Sequence, residues 1–202
     1  MTRQIRPAQK TECRLLAALT AMASGGLVAA LLQNLIADIT PEEMLSVLFQ
    51  TDNPTYSWRN AMVAESEGRA VGMVLMYPAR NAIDHVGNAP ISPEGRVLMQ
   101  PFVELIRPES FYLCALAVLA PYRGRGFGRE LLQEAVRTAR RQGFPALTLH
   151  VFEQNRRAVA LYRNAGFVTA ASRPCPGHPR LLYPGEILLL EKALSHGTKN
   201  DG

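Results

Sequence analysis

Between Phe111 and Ala139 the chain passes from an apolar run, Phe111–Val118 (FYLCALAV), into Tyr122-Arg123-Gly124-Arg125-Gly126-Phe127-Gly128-Arg129. Leu131, Leu132, Ala135, Val136 and Ala139 then recur at helical spacing. A strand, a glycine turn and an amphipathic helix in that order call for an α/β arrangement. Glycines at alternate positions remove the side chains that would hold a ligand off the backbone. The amides left bare sit beside the positive end of a helix macrodipole, and Arg123, Arg125 and Arg129 add full charges. Such a loop is built for phosphate. A Rossmann turn would need glycine where Arg129 stands, and a Walker A loop would need Gly-Lys-Ser/Thr, so it is neither.

Downstream, Gly143 stops the helix and a second strand follows, Ala146–Phe152 (ALTLHVF). Then comes Asn155-Arg156-Arg157-Ala158-Val159-Ala160-Leu161-Tyr162-Arg163-Asn164-Ala165-Gly166-Phe167. The chain here resembles the GNAT superfamily of acetyl-CoA-dependent N-acetyltransferases. It carries an R/Q-x-x-G-x-G/A loop (Arg123, Gly126, Gly128) and, in order behind it, N-x-x-A-x-x-L-Y-x-x-x-G-F. Two independent motifs at the right spacing make the match specific over 111–167. The resemblance implies a mixed, mostly antiparallel sheet flanked by helices. Acetyl-CoA is then expected in a cleft between splayed strands four and five.

Composition fits one soluble enzyme domain. The 202 residues, 48% apolar and 19% charged, leave room for one core and argue against general disorder. A net charge of +5 suits a polyanionic ligand such as coenzyme A. The basic residues are too scattered for a nucleic-acid surface. Cys13, Cys114 and Cys175 are odd in number and far apart, which argues for a reducing, cytoplasmic setting and against disulfides. No ligand cluster points to a metal. The uncharged run after Arg14 raises the alternative of a membrane tether at Leu15–Ala37. Gly25-Gly26 divides that run, however, and it reads as helix, break, helix.

Elsewhere Gln4-Ile5-Arg6 suits a first strand, and Thr40-Pro41-Glu42-Glu43 is a capping box opening a helix to about Phe49. The stretches 60–65 and 70–77 form a hairpin around Glu67-Gly68. The link 78–110 is long for this pattern, and Leu98, Phe102, Leu105 and Ile106 predict one short packed helix within an ordered flap. A strand to about Ser172, a loop Arg173–Gly185 and a last strand Glu186–Glu191 close the domain. We therefore expect a single domain over 1–195 with an insertion at 78–110, and a frayed tail at 196–202.

Acetyl transfer from a thioester to an amine sets four demands. The pyrophosphate of coenzyme A falls to the Gly124–Arg129 amides. Its amide-rich arm pairs, by resemblance, with the strand edge Leu116-Ala117-Val118, where an amide near Ala117 or Val118 faces the thioester oxygen. Tyr162 is the candidate acid for the leaving thiolate; the step is uphill by about 2 kcal/mol from reference pKa values unless the site lowers that of the tyrosine. Asn155, seven residues earlier, shares its helix face. The incoming amine must also lose a proton. In ribosomal-protein N-terminal acetyltransferases of this superfamily a glutamate lies twelve residues before the tyrosine, and here that position is His150. Histidine's ordinary pKa of about 6.5 suits a base near neutrality, with Glu153 as runner-up. Thr148, His150 and Phe152 share one strand face.

Asp84, His85, Glu104 and His178 are further candidates for the acceptor pocket. The reading is an acetyltransferase acting on a primary amine, small-molecule or protein-borne, by direct attack in a ternary complex. The expected state is monomer or homodimer, with no nucleic acid and no membrane as partner. The alternative is a non-catalytic acyl-CoA-binding or regulatory domain on the same fold.

Overall fold

The computed structural model describes residues 3–89 and 91–194, so the expected tail at 196–202 lies outside the described residues. Within these residues seven strands form one sheet: β1 (Arg3–Pro7), β2 (Ala61–Ser66), β3 (Arg69–Pro78), β4 (Phe111–Val118), β5 (Ala146–Phe152), β6 (Val168–Cys175) and β7 (Gly185–Ala193). Their order is β1-β2-β3-β4-β5-β7-β6. Every neighbouring pair is antiparallel except β4–β5, which is parallel.

That one parallel pair is also the shortest. It runs only from Phe111 opposite Leu147 to Leu113 opposite Leu149. Beyond Leu113 the strands part, and the cause is visible in the register of β4 against β3. Leu75 pairs with Ala115, but Met76 pairs with Leu113, so Cys114 is an extra residue. A bulge of this kind bends its strand and increases the local twist. It also reverses the faces: Leu113 belongs to one core and Ala115 and Ala117 to the other.

Among the described residues seven α-helices cover the sheet: α1 (Cys13–Ala23), α2 (Leu27–Leu32), α3 (Pro41–Phe49), α4 (Ala79–Asn88), α5 (Pro93–Glu104), α6 (Phe127–Arg141) and α7 (Arg156–Asn164). On one face α6 and α7 press Leu131, Leu132, Ala135, Ala139, Val159 and Tyr162 onto alternate residues of β5 and β7. On the other face α1 and α3 bury Leu16, Leu19, Leu45 and Phe49 against β2, β3 and β4. A third cluster, farther along that second face, sets Leu98, Phe102 and Leu105 of α5 and its exit turn on Phe152, Ile187 and Leu189.

The expected capping box is present: Thr40 Oγ1 accepts from the Glu43 N–H, and the Glu43 carboxylate accepts from the Thr40 N–H. Gly25 and Gly26, with φ of +61° and +93°, make the break between α1 and α2. These helices have 11 and 6 residues, and no described helix is long and apolar enough to cross a membrane. The insertion departs from expectation because it contains two helices where one was predicted. Ser92 caps α5 by accepting from the Gly95 N–H, with Pro93 in the first turn. Pro101 lies inside α5 and lacks the N–H that the Val97 carbonyl would take. Val97 is exposed, so water can satisfy that carbonyl.

Candidate active site

Where β4 and β5 part, a cleft of about 760 Å³ opens between the sheet, α6, α7 and the inserted helices. Its first wall is the free edge of β4. The Leu119 N–H donates to the Val71 carbonyl on the β3 side (2.9 Å). The Val118 carbonyl points the other way and accepts from Arg123 Nε (2.8 Å). Alternation along the strand therefore turns the backbone groups of Leu116 and Val118 into the cleft. Ala117 lines the cleft too, but its carbonyl lies against Gly72 on the β3 side. The cleft-facing amide expected near Ala117 or Val118 is thus that of Val118.

The second wall is the turn into α6. Gly124 and Gly126 adopt φ of +76° and +91°, which residues with a Cβ rarely do, and Gly126 is the residue before the helix. Among the described residues no carbonyl or side chain accepts from the amides of Gly124, Gly126, Phe127 or Gly128. They are the orphan donors of a helix start, gathered at its positive end. A Cβ on Gly128 would stand 3.7 Å from Leu161 and 3.8 Å from Leu116, ordinary contacts on the cleft side of the turn.

The arginines of this turn divide. Arg129 lines the cleft, whereas Arg123 also ties the turn to β4 through Val118. Arg125 lies outside the lining, with its guanidinium over the Tyr122 ring (5.6 Å). One residue that sequence reasoning missed holds the turn from behind. Arg3 of β1 stacks on the Phe127 ring (3.9 Å), pairs with Glu130 (2.7 Å) and donates to the Arg125 carbonyl (2.8 Å). Its partners lie more than 120 positions away in the chain, and no local pattern announces them.

The third wall is α7. Asn155 begins it, its Oδ1 accepting from the Ala158 N–H (3.2 Å), and Asn155 and Tyr162 both line the cleft as their spacing predicts. Tyr162 is buried, its ring edge-on to Phe167 (5.9 Å). Burial pushes its pKa well above the ordinary value, so the site does not supply the lowering that would ease proton transfer.

His150 also lines the cleft, but its chemistry differs from expectation. Burial pushes its pKa down to about 4, far from the 6.5 of a free histidine, because a charged ring would have to shed its water. Its Nδ1 lies 3.0 Å from the Tyr112 hydroxyl. Nε2 is buried without a hydrogen-bond partner, and the nearby Leu105 backbone opposes the shift without overcoming the burial. Nδ1 accepts from Tyr112 in the Nε2–H tautomer and donates to it in the other. Glu153, the alternative base, is exposed beyond the cleft.

Of the remaining candidates, His85 of α4 lines the cleft, with its ring 5.1 Å from Tyr56 and its pKa lowered by burial. Asp84 is exposed, Glu104 is paired with Arg173 (3.1 Å), and His178 accepts from the Arg180 N–H in its own turn. Among the described residues no aspartate or glutamate lines the cleft.

The family model described as "Acetyltransferase (GNAT) family" matches residues 31–167, more than half of the chain. Among curated proteins, N-alpha-acetyltransferase MAK3 of Arabidopsis thaliana is 39% identical over 59 residues, 29% of this chain and 31% of that protein. Mycothiol acetyltransferase of Jonesia denitrificans is 45% identical over 79 residues, 39% of this chain and 24% of that protein. The matched stretches thus span about a third or less of these relatives. In fold, the chain is similar to an N-acetyltransferase from Staphylococcus aureus Mu50, with a TM-score of 0.68 and 20% identity, over 94% of this chain and 100% of that one. It is likewise similar to a putative acetyltransferase from Salmonella typhimurium solved with its cofactor acetyl-CoA, with a TM-score of 0.63 and 18% identity, over 96% and 95% of the two chains.

Proposed function

From the premise that the chain belongs to the acetyltransferase (GNAT) family, we propose that it transfers the acetyl group of acetyl-CoA to a primary amine by direct attack. The observation that carries this reading is convergence. Unpartnered amides at the start of α6, the free edge of β4 and Tyr162 of α7 all border one cleft. An anion-binding turn, a strand edge with free donors and a proton donor are what a thioester on a phosphorylated carrier requires.

The amides of Gly124, Gly126, Phe127 and Gly128 would hold the pyrophosphate, with Arg129 adding charge. Leu116 and Val118 would pair with the amide-rich arm, and the Val118 N–H would donate to the oxygen that gains charge as the amine attacks. As the C–N bond forms and the C–S bond breaks, the thiolate would take the proton of the Tyr162 hydroxyl. The raised pKa keeps that hydroxyl protonated throughout the working range. It also makes the tyrosine a weaker acid. The same dry surroundings destabilise a thiolate, however, so the two shifts partly cancel. The amine's proton would leave through the Tyr112 hydroxyl toward His150 Nδ1, or to water. The thiols of Cys13, Cys114 and Cys175 are free, which suits the reducing cytoplasm.

One observation favours a second reading, a domain that binds acyl-CoA without turnover: among the described residues the cleft wall offers no carboxylate base, and burial disfavours protonation of His150. Calorimetry with coenzyme A and thiol release from acetyl-CoA with an amine panel separate the two. Under the enzyme reading Tyr162→Phe lowers kcat by about 10²-fold with coenzyme A affinity unchanged. Binding without turnover of any amine supports the second reading. An unchanged kcat in Tyr162→Phe, measured where chemistry limits the rate, returns the tyrosine to the core.

A further inference from the structure

The end of the cleft away from the α6 turn is closed by the inserted helices. Tyr56, Tyr77, His85, Phe102, Tyr112 and His150 make an almost continuous aromatic surround. Neighbouring rings touch: Tyr56 and His85 at 5.1 Å, Tyr77 and Tyr112 at 5.7 Å, Tyr112 and His150 at 5.2 Å, and Phe102 and His150 at 5.8 Å. Among the described residues the charged side chains on the cleft wall are all arginines, Arg123, Arg129 and Arg157, and they belong to the α6 turn, α6 and α7, so the aromatic end holds no acid. The nearby acids on the inserted helices and after β5 turn away, Asp84 and Glu153 to solvent and Glu104 to Arg173.

The chamber is also bridged. The Leu182 N–H of the β6–β7 loop donates to the Gly25 carbonyl of the α1–α2 break (2.9 Å), and Gly26 packs directly on the Arg180 carbonyl. An extended peptide would need that bridge open.

Resting on the reading of this cleft as an acetyl-transfer site, the geometry points to a small acceptor that enters uncharged, a weakly basic amine carried on an aromatic or other flat apolar body. Polyamines, aminoglycosides and protein amines are disfavoured. An ammonium group would have to shed its water where no carboxylate replaces it. A weakly basic amine is neutral at physiological pH and arrives with its lone pair available. It therefore needs no strong base, which agrees with a cleft whose histidine is held neutral. Flat aromatic walls favour stacked or edge-on rings.

The test compares thiol release from acetyl-CoA with substituted anilines, spermidine and a lysine-containing peptide, alongside calorimetric binding of each to the coenzyme A-loaded protein. We expect kcat/KM for the best aniline to exceed that for spermidine and the peptide by at least tenfold. Met99→Glu, which sets a carboxylate in the chamber wall, is expected to narrow that ratio at least tenfold while coenzyme A affinity is retained. If spermidine or the peptide is the better substrate, the proposal is overturned while acetyl transfer stands. If anilines bind the loaded protein but nothing turns over, the chamber's preference stands and the acetyl-transfer reading falls. Failure of anilines both to bind and to react overturns the proposal.

Discussion

Single side chains in the cleft differ in how far the sequence discloses them. Gly128 was legible as a place at the start of α6 on the cleft wall, because a glycine spacing followed by a helix reports bare amides wherever it occurs. Gly128→Ala is also a cleaner probe than Gly126→Ala, since Gly126 has φ of +91° and any Cβ there is strained. At Gly128 the added methyl meets only ordinary contacts. It is expected to weaken acetyl-CoA binding at least tenfold, about 1.4 kcal/mol, with melting temperature unchanged. Equal affinity by calorimetry would remove the turn from the site. His150 was legible as a position and misleading as a chemistry, because its titration depends on Tyr112, Phe102 and Leu105 closing around it. Its folded pKa of about 4 lies below the unfolded 6.5, so the unfolded chain binds more protons between these values. Stability from this group is full above about pH 6.5 and is lost as pH falls through 4, roughly 3 kcal/mol at most. His150→Gln is expected to flatten that window. Urea unfolding of both proteins at about pH 7 and 4.5 gives a difference of differences in which the carboxylates common to both cancel. A stability gap independent of pH would contradict the burial of a neutral ring.

Among the elements, those with strong local punctuation were readable and those held by distant contacts were not. Thr40 to Glu43 announced α3, the glycines around α6 announced its start and end, and alternation announced β5. By contrast α4 (ARNAIDHVGN) is polar with no capping box, and it is defined by where β3 delivers the chain, the Ala79 N–H donating to the Ser110 carbonyl (3.0 Å). The bulge at Cys114, which opens the cleft, has no signature in an eight-residue run that reads as plain strand. The bridge between the α1–α2 break and the β6–β7 loop was half visible. Gly25-Gly26 marked a break, but nothing local said what the break touches. Gly26→Ala tests that contact. It combines a φ of +93° with overlap on the Arg180 carbonyl. Gly68→Ala is the control, with φ of +76° and nothing within 4 Å of its Cβ. Positive φ alone costs about 1–3 kcal/mol in each. The extra loss in Gly26→Ala is expected to lower Tm by at least about 4 °C beyond the control, given roughly 2–4 °C per kcal/mol for a chain of this size. Equal Tm values would mean that the bridge gives way without cost.

Residues 1–195 were expected to fold as one domain, and the packing offers a sharp way to ask. Trp58, the single tryptophan in the sequence, packs against the cluster beneath α1 and α3. The turn proposed to hold coenzyme A is anchored on the opposite side of the sheet, where Phe127, Leu131 and Tyr162 lie. The two clusters share only the strands between them: Met73 and Leu75 of β3 face one, Val74 and Met76 the other. If the sheet makes these cores one cooperative unit, Trp58 fluorescence and far-ultraviolet circular dichroism will give coincident unfolding curves. A ligand bound on the far side must then stabilise Trp58's surroundings fully. At one hundred times its dissociation constant coenzyme A adds about 2.7 kcal/mol. That corresponds to a Tm rise of roughly 5–10 °C, and it should be the same by both probes. A shift in circular dichroism with the Trp58 transition left behind would divide the chain into two units. The acceptor chamber, whose walls come from β3, β4, β5 and both inserted helices, would then straddle a boundary that can open without unfolding the coenzyme A turn.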